Sequence, residues 1–192
     1  MAQARTQRQD LIQVRRSKVH GKGVFATGRV PKGARLIEYV GERVSHKEAD
    51  RRYETKEAND NHTFLFIVDS RTVIDAGVMG NEARFFNHSC DPNCESVIEG
   101  RRVYIEAIRA IEPGEELTYD YQIQREDDDP PDIDAIFACR CGAPECRKTM
   151  LWPTKRRTAR AKQARSGRNA GAVRRGAAKK KAGRARKGGR PR

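Results

Sequence analysis

The amino-acid sequence predicts a mostly β domain with small sheets and few short helices, followed by a basic tail. Three observations lead to this fold class: short apolar runs recur along the body, turn residues separate them, and one segment between them carries a helix-start signal. The 192 residues are enough for one domain with a core and some appendages.

Charge divides the chain into two regions of opposite sign. The whole sequence holds 40 Lys and Arg against 26 Asp and Glu, a formal charge of +14. Residues 153–192 contain 17 of these cations and no acid, so residues 1–152 hold 23 cations and 26 acids, a net of −3. The tail's only large aliphatic residue is Val173, so it cannot bury enough apolar surface to offset its chain entropy. We expect 153–192 to be disordered when free.

Several classes of protein are disfavoured by the sequence. No run of 18 apolar residues is present, so we expect no membrane partner. Residues 1–10 (MAQARTQRQD) lack an apolar signal core, so we expect a flexible N-terminus and no secretory signal. Five cysteines, an odd number, favour reduced thiols or a metal over disulfides. These features predict an intracellular protein.

The first half of the body has strand patterns around one helix. Apolar residues at 11–14 and 36–40 predict strands, and 20–25 predicts a glycine-rich loop that enters another strand. Ser45 and Glu48 have the spacing of a capping box, which predicts a polar helix ending near Ala58.

The second half of the body has hairpin patterns and ends in a linker. Two hairpins and a further strand are predicted, the latter after the turn Pro113-Gly114. Acids and prolines then predict a linker around EDDDPPDID. The hairpins pair 64–68 with 72–75 and 94–99 with 102–109. The further strand covers 117–121, and the acidic and proline-rich stretch covers 126–134.

Three cysteines, Cys139, Cys141 and Cys146, lie close together in the sequence CRCGAPEC. Such spacing suits one face of a zinc tetrahedron, and a structural site needs a fourth ligand. The upstream candidates are Cys90 and Cys94, and spacing does not choose between them. Buried, inert thiols are the alternative, but that reading fits poorly beside glycine, proline and charged residues.

The stretch 84–90, RFFNHSC, combines a cation, two aromatics, an amide, an imidazole, a hydroxyl and a thiol. Core segments avoid so many polar groups unless each has a partner. The order of motifs along the chain explains the combination. They are GKGVF at 21–25, YVGE at 39–42, GNEARFFNHSCDPNC at 80–94, GEELTYDY at 114–121 and the terminal cysteines.

This series resembles the SET-domain protein lysine methyltransferases with a post-SET zinc segment, over Leu11 to Trp152. The resemblance implies a SET domain at 11–121, an acidic linker at 122–138 and a post-SET segment at 139–152. It implies small β-sheets with a knot-like crossing, where Asn-His-Ser-Cys passes beside the tyrosine-rich strand. The cysteine-rich pre-SET region of many eukaryotic members has no counterpart, so a compact bacterial or viral type is expected.

The resemblance also implies a set of ligand-binding residues. Cys90 becomes the fourth zinc ligand beside Cys139, Cys141 and Cys146, for one structural ion, and Cys94 is an ordinary thiol. Trp152 is expected either to lie against the cofactor adenine or simply to pack the chain end. The full set implied for S-adenosylmethionine is Lys22, Gly23, Val24, Arg84, Asn87, His88, Tyr121 and Trp152.

Methyl transfer to lysine needs a neutral amine, although a free lysine has a pKa near 10.4. Aromatic walls around the amine lower that pKa by desolvation, and they align it for in-line attack. By resemblance, Tyr121 is the catalytic tyrosine, Tyr39 lines the lysine channel, and Tyr119 occupies the Phe/Tyr switch position. A tyrosine there favours mono- or dimethylation.

The tail and the substrate allow several hypotheses. The leading one is methylation of a basic, histone-like or nucleoid protein, with the tail binding DNA non-specifically. The tail is also a candidate substrate, since 179–181 are three consecutive lysines, or a mere solubilising extension. The competing functions are a DNA-packaging protein with an inactive SET-like body and a methyltransferase of a ribosomal or translation protein. The expected location is the cytoplasm and nucleoid, or the nucleus and chromatin, depending on the host.

Overall fold

The computed structural model describes residues 6–54, 63–127 and 129–153. Within them lie ten strands in three small sheets and two short α-helices, α1 and α2, which confirms the mostly β prediction. The predicted tail disorder over 154–192, the predicted end of the polar helix near Ala58, and residues 1–5 lie outside the described residues. No helix in the described part of the chain has the length and apolar character needed to cross a bilayer.

The largest sheet contains the point where two distant parts of the chain run side by side, which we call the crossing. Its order is β1 (Ile12–Arg16), β2 (Lys22–Ala26), β10 (Glu116–Tyr119) and β7 (Asn87–His88). The β1–β2 and β2–β10 pairs are antiparallel, but β7 runs parallel to β10, with Asn87 opposite Thr118 and His88 opposite Tyr119. A parallel neighbour needs a long connection. The resulting crossing sets RFFNHSC beside the tyrosine-rich strand, as the resemblance implied.

Two three-stranded sheets complete the body. One pairs β3 (Arg35–Tyr39), β9 (Arg102–Ala107) and β8 (Cys94–Glu99), in that order. The β8–β9 turn places Gly100 and Arg101 at φ of 55° and 67°, the left-handed conformation that a tight hairpin requires. The other sheet pairs β4 (Glu42–Val44), β6 (Val73–Asp75) and β5 (Leu65–Ile67).

The first α-helix begins where the sequence predicted. α1 (His46–Tyr53) has Ser45 as its N-cap, whose hydroxyl accepts a hydrogen bond from the Glu48 N–H at 3.2 Å. Arg52 on this helix forms ion pairs with Glu42 and with Asp75, a carboxylate that is only 2% exposed. The helix is therefore tied by charge to the β4–β6–β5 sheet.

The segment after the tyrosine-rich strand returns to the body. The segment predicted to be an acidic linker contains α2 (Ile133–Ile136), whose Ile133 is buried. Single bridges then pair Ile123 with Leu151 and Ala138 with Thr149. Leu151 is fully buried, so the cysteine-rich segment is anchored in the main core.

Gly80 lies close against the backbone of Ala76. A Cβ at Gly80 would be 2.0 Å from the Ala76 carbonyl oxygen, and a backbone atom cannot move aside as a flexible side chain can. We therefore expect Gly80→Ala to lower the free energy of unfolding by about 3 kcal/mol or more, measured by urea denaturation. Gly100→Asn is the control, because that position is open and asparagine tolerates its positive φ. Equal stability of the two variants would contradict the prediction.

Candidate active site and metal centre

Three tyrosines from two sheets meet beside the crossing. The ring centres of Tyr119 and Tyr121 are 4.9 Å apart, and Tyr39 is 4% exposed and packs against Phe66. Tyr39 and Tyr119 come from β3 and β10, while Tyr121 lies two residues past the end of β10. The fold thus brings together all three tyrosines named from the sequence.

The three hydroxyl groups are in different hydrogen-bonding states. Tyr39 donates to the Phe64 carbonyl oxygen at 3.0 Å, and Tyr121 donates to the Phe86 carbonyl oxygen at 2.7 Å. Among the described residues, the Tyr119 hydroxyl has no such partner. Two of the hydroxyls are therefore held by the backbone, and the third can bind a water or an amine.

Burial keeps these hydroxyls neutral. Desolvation, followed by the proximity of the other acidic groups, raises the pKa of Tyr39 and of Tyr119 well above the ordinary tyrosine value. Desolvation likewise raises the pKa of Tyr121, against a smaller opposing effect of a hydrogen bond at His88. The cluster is a neutral, largely apolar surface with a few fixed oxygen atoms.

The Asn87 side chain holds the glycine-rich loop. Its Nδ2 donates to the carbonyl oxygens of Lys22 at 2.9 Å and His20 at 3.3 Å, and to Glu116 Oε1 at 2.8 Å. A Cβ at Gly23 would lie 2.3 Å from that same carboxylate oxygen, so a larger residue there would displace the Glu116 side chain from Asn87. The side-chain oxygen of Asn87 remains available to a ligand. So does the outer backbone edge of β7, because β7 is an edge strand of its sheet.

His88 is a buried, neutral imidazole. Desolvation is the largest cause that lowers its pKa to about 4; Asp120 opposes the shift and Arg147 adds to it. Its Nδ1 accepts from the Tyr121 N–H at 3.2 Å, so the ring proton resides on Nε2, 3.5 Å from Cys90 Sγ. His88 therefore links the backbone of Tyr121 to the cysteine cluster.

Cations stack on aromatic rings beside this crossing. The Arg84 guanidinium lies 4.8 Å from the Phe85 ring centre and 5.6 Å from that of Phe64, and Lys22 Nζ lies 5.1 Å from Phe85. Arg84 also donates to the Ala76 carbonyl oxygen at 3.1 Å. Its Nε is buried and has no hydrogen-bond partner among the described residues. Val24 is fully buried in the core, so only its backbone can face a cofactor.

Four sulfur atoms converge beside the crossing, from Cys90, Cys139, Cys141 and Cys146, all within 4.8 Å of one another. The Cys90 sulfur is 3.8 Å from that of Cys139 and 3.9 Å from that of Cys146. A zinc–sulfur distance of about 2.3 Å gives a tetrahedral edge of about 3.8 Å, so the spacing fits zinc. The structure brings Cys90 to the cluster, whereas Cys94 starts β8 and is fully buried in the core.

The backbone around the cluster donates hydrogen bonds to its sulfur atoms. Backbone N–H groups point at three of its sulfurs, each at 3.4 Å: Cys141 to Cys139, Arg147 to Cys90 and Lys148 to Cys146. Such hydrogen bonds stabilise thiolates, the form that binds metal. We call these four cysteines the four-cysteine centre.

Trp152 lies next to this centre. Its backbone N–H donates to the Ile123 carbonyl oxygen at 2.7 Å, and the Arg147 guanidinium lies 5.7 Å from its ring centre. The residue is partly exposed, so one side of the indole can meet a ligand. Both sequence hypotheses for Trp152, packing and adenine contact, are compatible with this position.

Several residues of the site were not singled out from the sequence. The Asn93 amide, 4% exposed, donates to the Glu116 carbonyl oxygen and accepts from the Thr118 N–H, as a neighbouring strand would. Asp120 and Arg147 form a two-fold hydrogen-bonded ion pair. Asn93 and Asp120 lie inside motifs already identified, and nothing else in the sequence indicates that they belong to the site.

The comparisons with known proteins agree with this geometry. The SET-domain family model matches residues 21–122. Histone-lysine N-methyltransferase trithorax of Drosophila virilis is 38% identical over 145 residues, 73% of this chain and 4% of that protein. An H3 lysine-4 specific histone-lysine N-methyltransferase of Saccharomyces cerevisiae is 43% identical over 137 residues, 69% of this chain and 12% of that protein. One from Mycosarcoma maydis is 43% identical over 153 residues, 77% of this chain and 10% of that protein. The chain thus spans a small part of each relative's length.

Proposed function

We propose that this chain, which belongs to the SET-domain family, is a protein-lysine N-methyltransferase that uses S-adenosylmethionine. One observation carries the proposal: the parallel pairing of β7 with β10 sets Tyr119 and Tyr121 beside Asn87 and His88, where Tyr39 approaches them from β3. Similarity to histone-lysine N-methyltransferases supports the same reaction.

The tyrosine cluster suits the protein's part of the reaction. S-adenosylmethionine, when bound, supplies an electrophilic methyl group on its sulfonium. The neutral ring faces desolvate an incoming ammonium and lower its pKa, so the proton leaves to solvent before attack. The Tyr121 hydroxyl donates a hydrogen bond to the Phe86 carbonyl oxygen. This bond fixes the phenol oxygen of Tyr121 beside the reacting centre. Catalysis then rests mainly on alignment.

The residues proposed to hold the cofactor converge from three separate segments. The start of β2, at 22–24, is fastened to β7 by the Asn87 amide. The ring centres of Tyr121 and His88 are 5.3 Å apart, and Trp152 follows the four-cysteine centre. Lys22 is exposed and can pair with the cofactor carboxylate. The proposed set remains Lys22, Gly23, Val24, Arg84, Asn87, His88, Tyr121 and Trp152, with one structural zinc at the four-cysteine centre.

We propose a basic, histone-like protein as the substrate, because relatives act on histones by name and the body is acidic. Exposed acids in the linker, including Asp127 and Asp132, can attract such a protein and raise its association rate. The lysines at 179–181 of the chain itself are a second target. We accordingly place the protein on chromatin or nucleoid inside the cell, with mono- or dimethyl-lysine as its product.

The test is intact-protein mass spectrometry after incubation with S-adenosylmethionine and a mixture of histones and other basic proteins. Methyl increments on an added protein, absent with Tyr121→Phe, would support the proposal and identify the substrate class. Increments on this chain alone, lost when 154–192 are deleted, would make the tail the substrate. Increments on ribosomal proteins alone would favour the translation-target alternative. DNA binding without any increments would favour a packaging protein with an inactive body.

We propose that the tail binds DNA without sequence preference, and this predicts a strong dependence on salt. Each phosphate that a cation neutralises contributes about −0.9 to the slope of log K against log salt. Deleting 154–192 removes 17 cations, so we expect it to abolish binding to a random duplex in about 0.1 M salt. Fluorescence anisotropy at several salt concentrations measures both effects. Equal affinity of the two forms would contradict the prediction.

A further inference from the structure

Arg147 contacts three parts of the molecule at once. Its guanidinium donates to both carboxylate oxygens of Asp120, each at 2.8 Å. Its backbone N–H donates to Cys90 Sγ at 3.4 Å, and its guanidinium lies 5.7 Å from the Trp152 ring centre. The preceding residue, Cys146, belongs to the four-cysteine centre. Arg147 therefore joins that centre to the tyrosine-rich strand and to the indole.

Asp120 is the residue between Tyr119 and Tyr121. Regular strand pairing ends at Tyr119, so Tyr121 is not fixed by a sheet. The next residue, Gln122, has φ 52°, and its N–H donates to Asp120 Oδ1 at 3.2 Å. The conformation of this short segment depends on Asp120 and on the Tyr121 N–H bond to His88. Holding the Asp120 carboxylate therefore holds the backbone that carries Tyr121.

The ion pair is well shaped for such a role. The Asp120 side chain is 9% exposed and that of Arg147 is 18% exposed, so solvent screens the pair little. A planar guanidinium can bind two oxygens at once, which fixes direction as well as distance, and a lysine ammonium cannot reproduce this. Removal of either partner would leave the other charge largely buried and unpaired.

We infer that Arg147 is a positioning residue that couples the four-cysteine centre to Tyr121 and Trp152. A metal held by the four cysteines would fix Cys146 and Cys90. The backbone of Arg147 is bonded to Cys90, and its guanidinium holds Asp120 and lies beside the indole. The inference deepens the proposed function and rests on it for the catalytic consequence alone. Loss of Arg147 should change the placement of Tyr121 and Trp152 while the metal remains bound.

The experiment compares Arg147→Met, Arg147→Lys and Asp120→Asn with the unaltered 192-residue chain, all loaded with zinc. Arg140→Met is the matched control, because Arg140 lies between two of the cysteines but is exposed. Three quantities are measured: zinc content, the emission of Trp152 before and after chelation, and kcat with KM for a histone substrate. Trp152 is the only tryptophan in the chain, so its emission reports this position alone.

We expect Arg147→Met and Asp120→Asn to retain one zinc, to shift Trp152 emission, and to lower kcat by about 10- to 100-fold with little change in KM. Arg147→Lys should recover part of this loss, and the double variant Arg147→Met with Asp120→Asn should be no worse than either single one. Arg140→Met should match the unaltered protein.

Two results would overturn the inference. One is unaltered Trp152 emission, with an unaltered response to chelation, in Arg147→Met. The other is loss of zinc from Arg147→Met, which would make Arg147 part of the metal site's own stability. Both readouts are independent of catalysis. If the unaltered protein methylates nothing, the proposed function fails, while emission and zinc content still decide the coupling.

Discussion

Replacing Cys90 with serine is expected to remove the metal and, with it, the order of the segment 139–153. Serine does not ionise at neutral pH, so three thiolates would remain where a tetrahedral site needs four ligands. Structural zinc contributes about 10–16 kcal/mol of apparent binding free energy in small zinc peptides, and this free energy is coupled to folding. We expect zinc content to fall from one equivalent to near zero, the melting temperature to drop, and methyl transfer to be lost.

Cys94→Ala is the matched control for this prediction. Cys94 lies four residues further on and is fully buried, yet its sulfur lies outside the four-cysteine centre. We expect this variant to keep one equivalent of zinc and to lose only a modest amount of stability from the smaller side chain. Zinc content by chelator titration and melting by circular dichroism are the measurements. Full zinc content in Cys90→Ser would contradict the assignment of Cys90 as a ligand.

The two cysteines also show what the sequence could and could not predict. Spacing identified a metal cluster at the end of the body but left the fourth ligand open between Cys90 and Cys94. The structure shows the physical reason for the difference: Cys94 begins β8 and faces the core, whereas Cys90 lies in the turn after β7. That distinction depends on the parallel pairing of β7 with β10. Because β7 has only two residues, it shows no periodic pattern from which this pairing could be predicted.

Local signals were reliable where a single turn or cap decided the structure. The Ser45 cap and the Gly100 hairpin turn both depend on a few neighbouring residues, and both were predicted correctly. The pair of Asp120 and Arg147 spans 27 positions and follows no repeat, so no local pattern marks it. Helix α2 was missed for a different reason: its four residues lie inside a linker whose acids and prolines favour irregular chain.

Removal of the hydroxyl group from Tyr121 and from Tyr119, whose rings are in contact, is expected to have different consequences. Tyr121→Phe should lower kcat for methyl transfer by about 100-fold or more, the loss seen when a preorganised polar group is removed from a reacting centre. The Phe86 carbonyl oxygen would lose the donor that lies 2.7 Å away, and the fixed phenol oxygen beside the reacting methyl would be gone. The ring would remain, so folding should change little.

Tyr119→Phe should preserve transfer of the first methyl group and increase the number transferred. The Tyr119 hydroxyl donates to no other described residue, so its removal leaves no backbone group without a partner. It does remove a group that can hold a water or the amine, and it leaves space for an already methylated nitrogen. We expect the product to shift from mono- or dimethyl-lysine toward trimethyl-lysine.

The two substitutions control for each other, because both replace a buried tyrosine with phenylalanine and their rings are 4.9 Å apart. A general loss of packing would affect them alike. A time course of methyl increments on one histone peptide, read by mass spectrometry, separates rate from product state. If both variants lost activity equally with the same product, the two hydroxyls would not have separate roles. Opposite outcomes would assign rate to the hydroxyl held by the backbone and product state to the unpaired one.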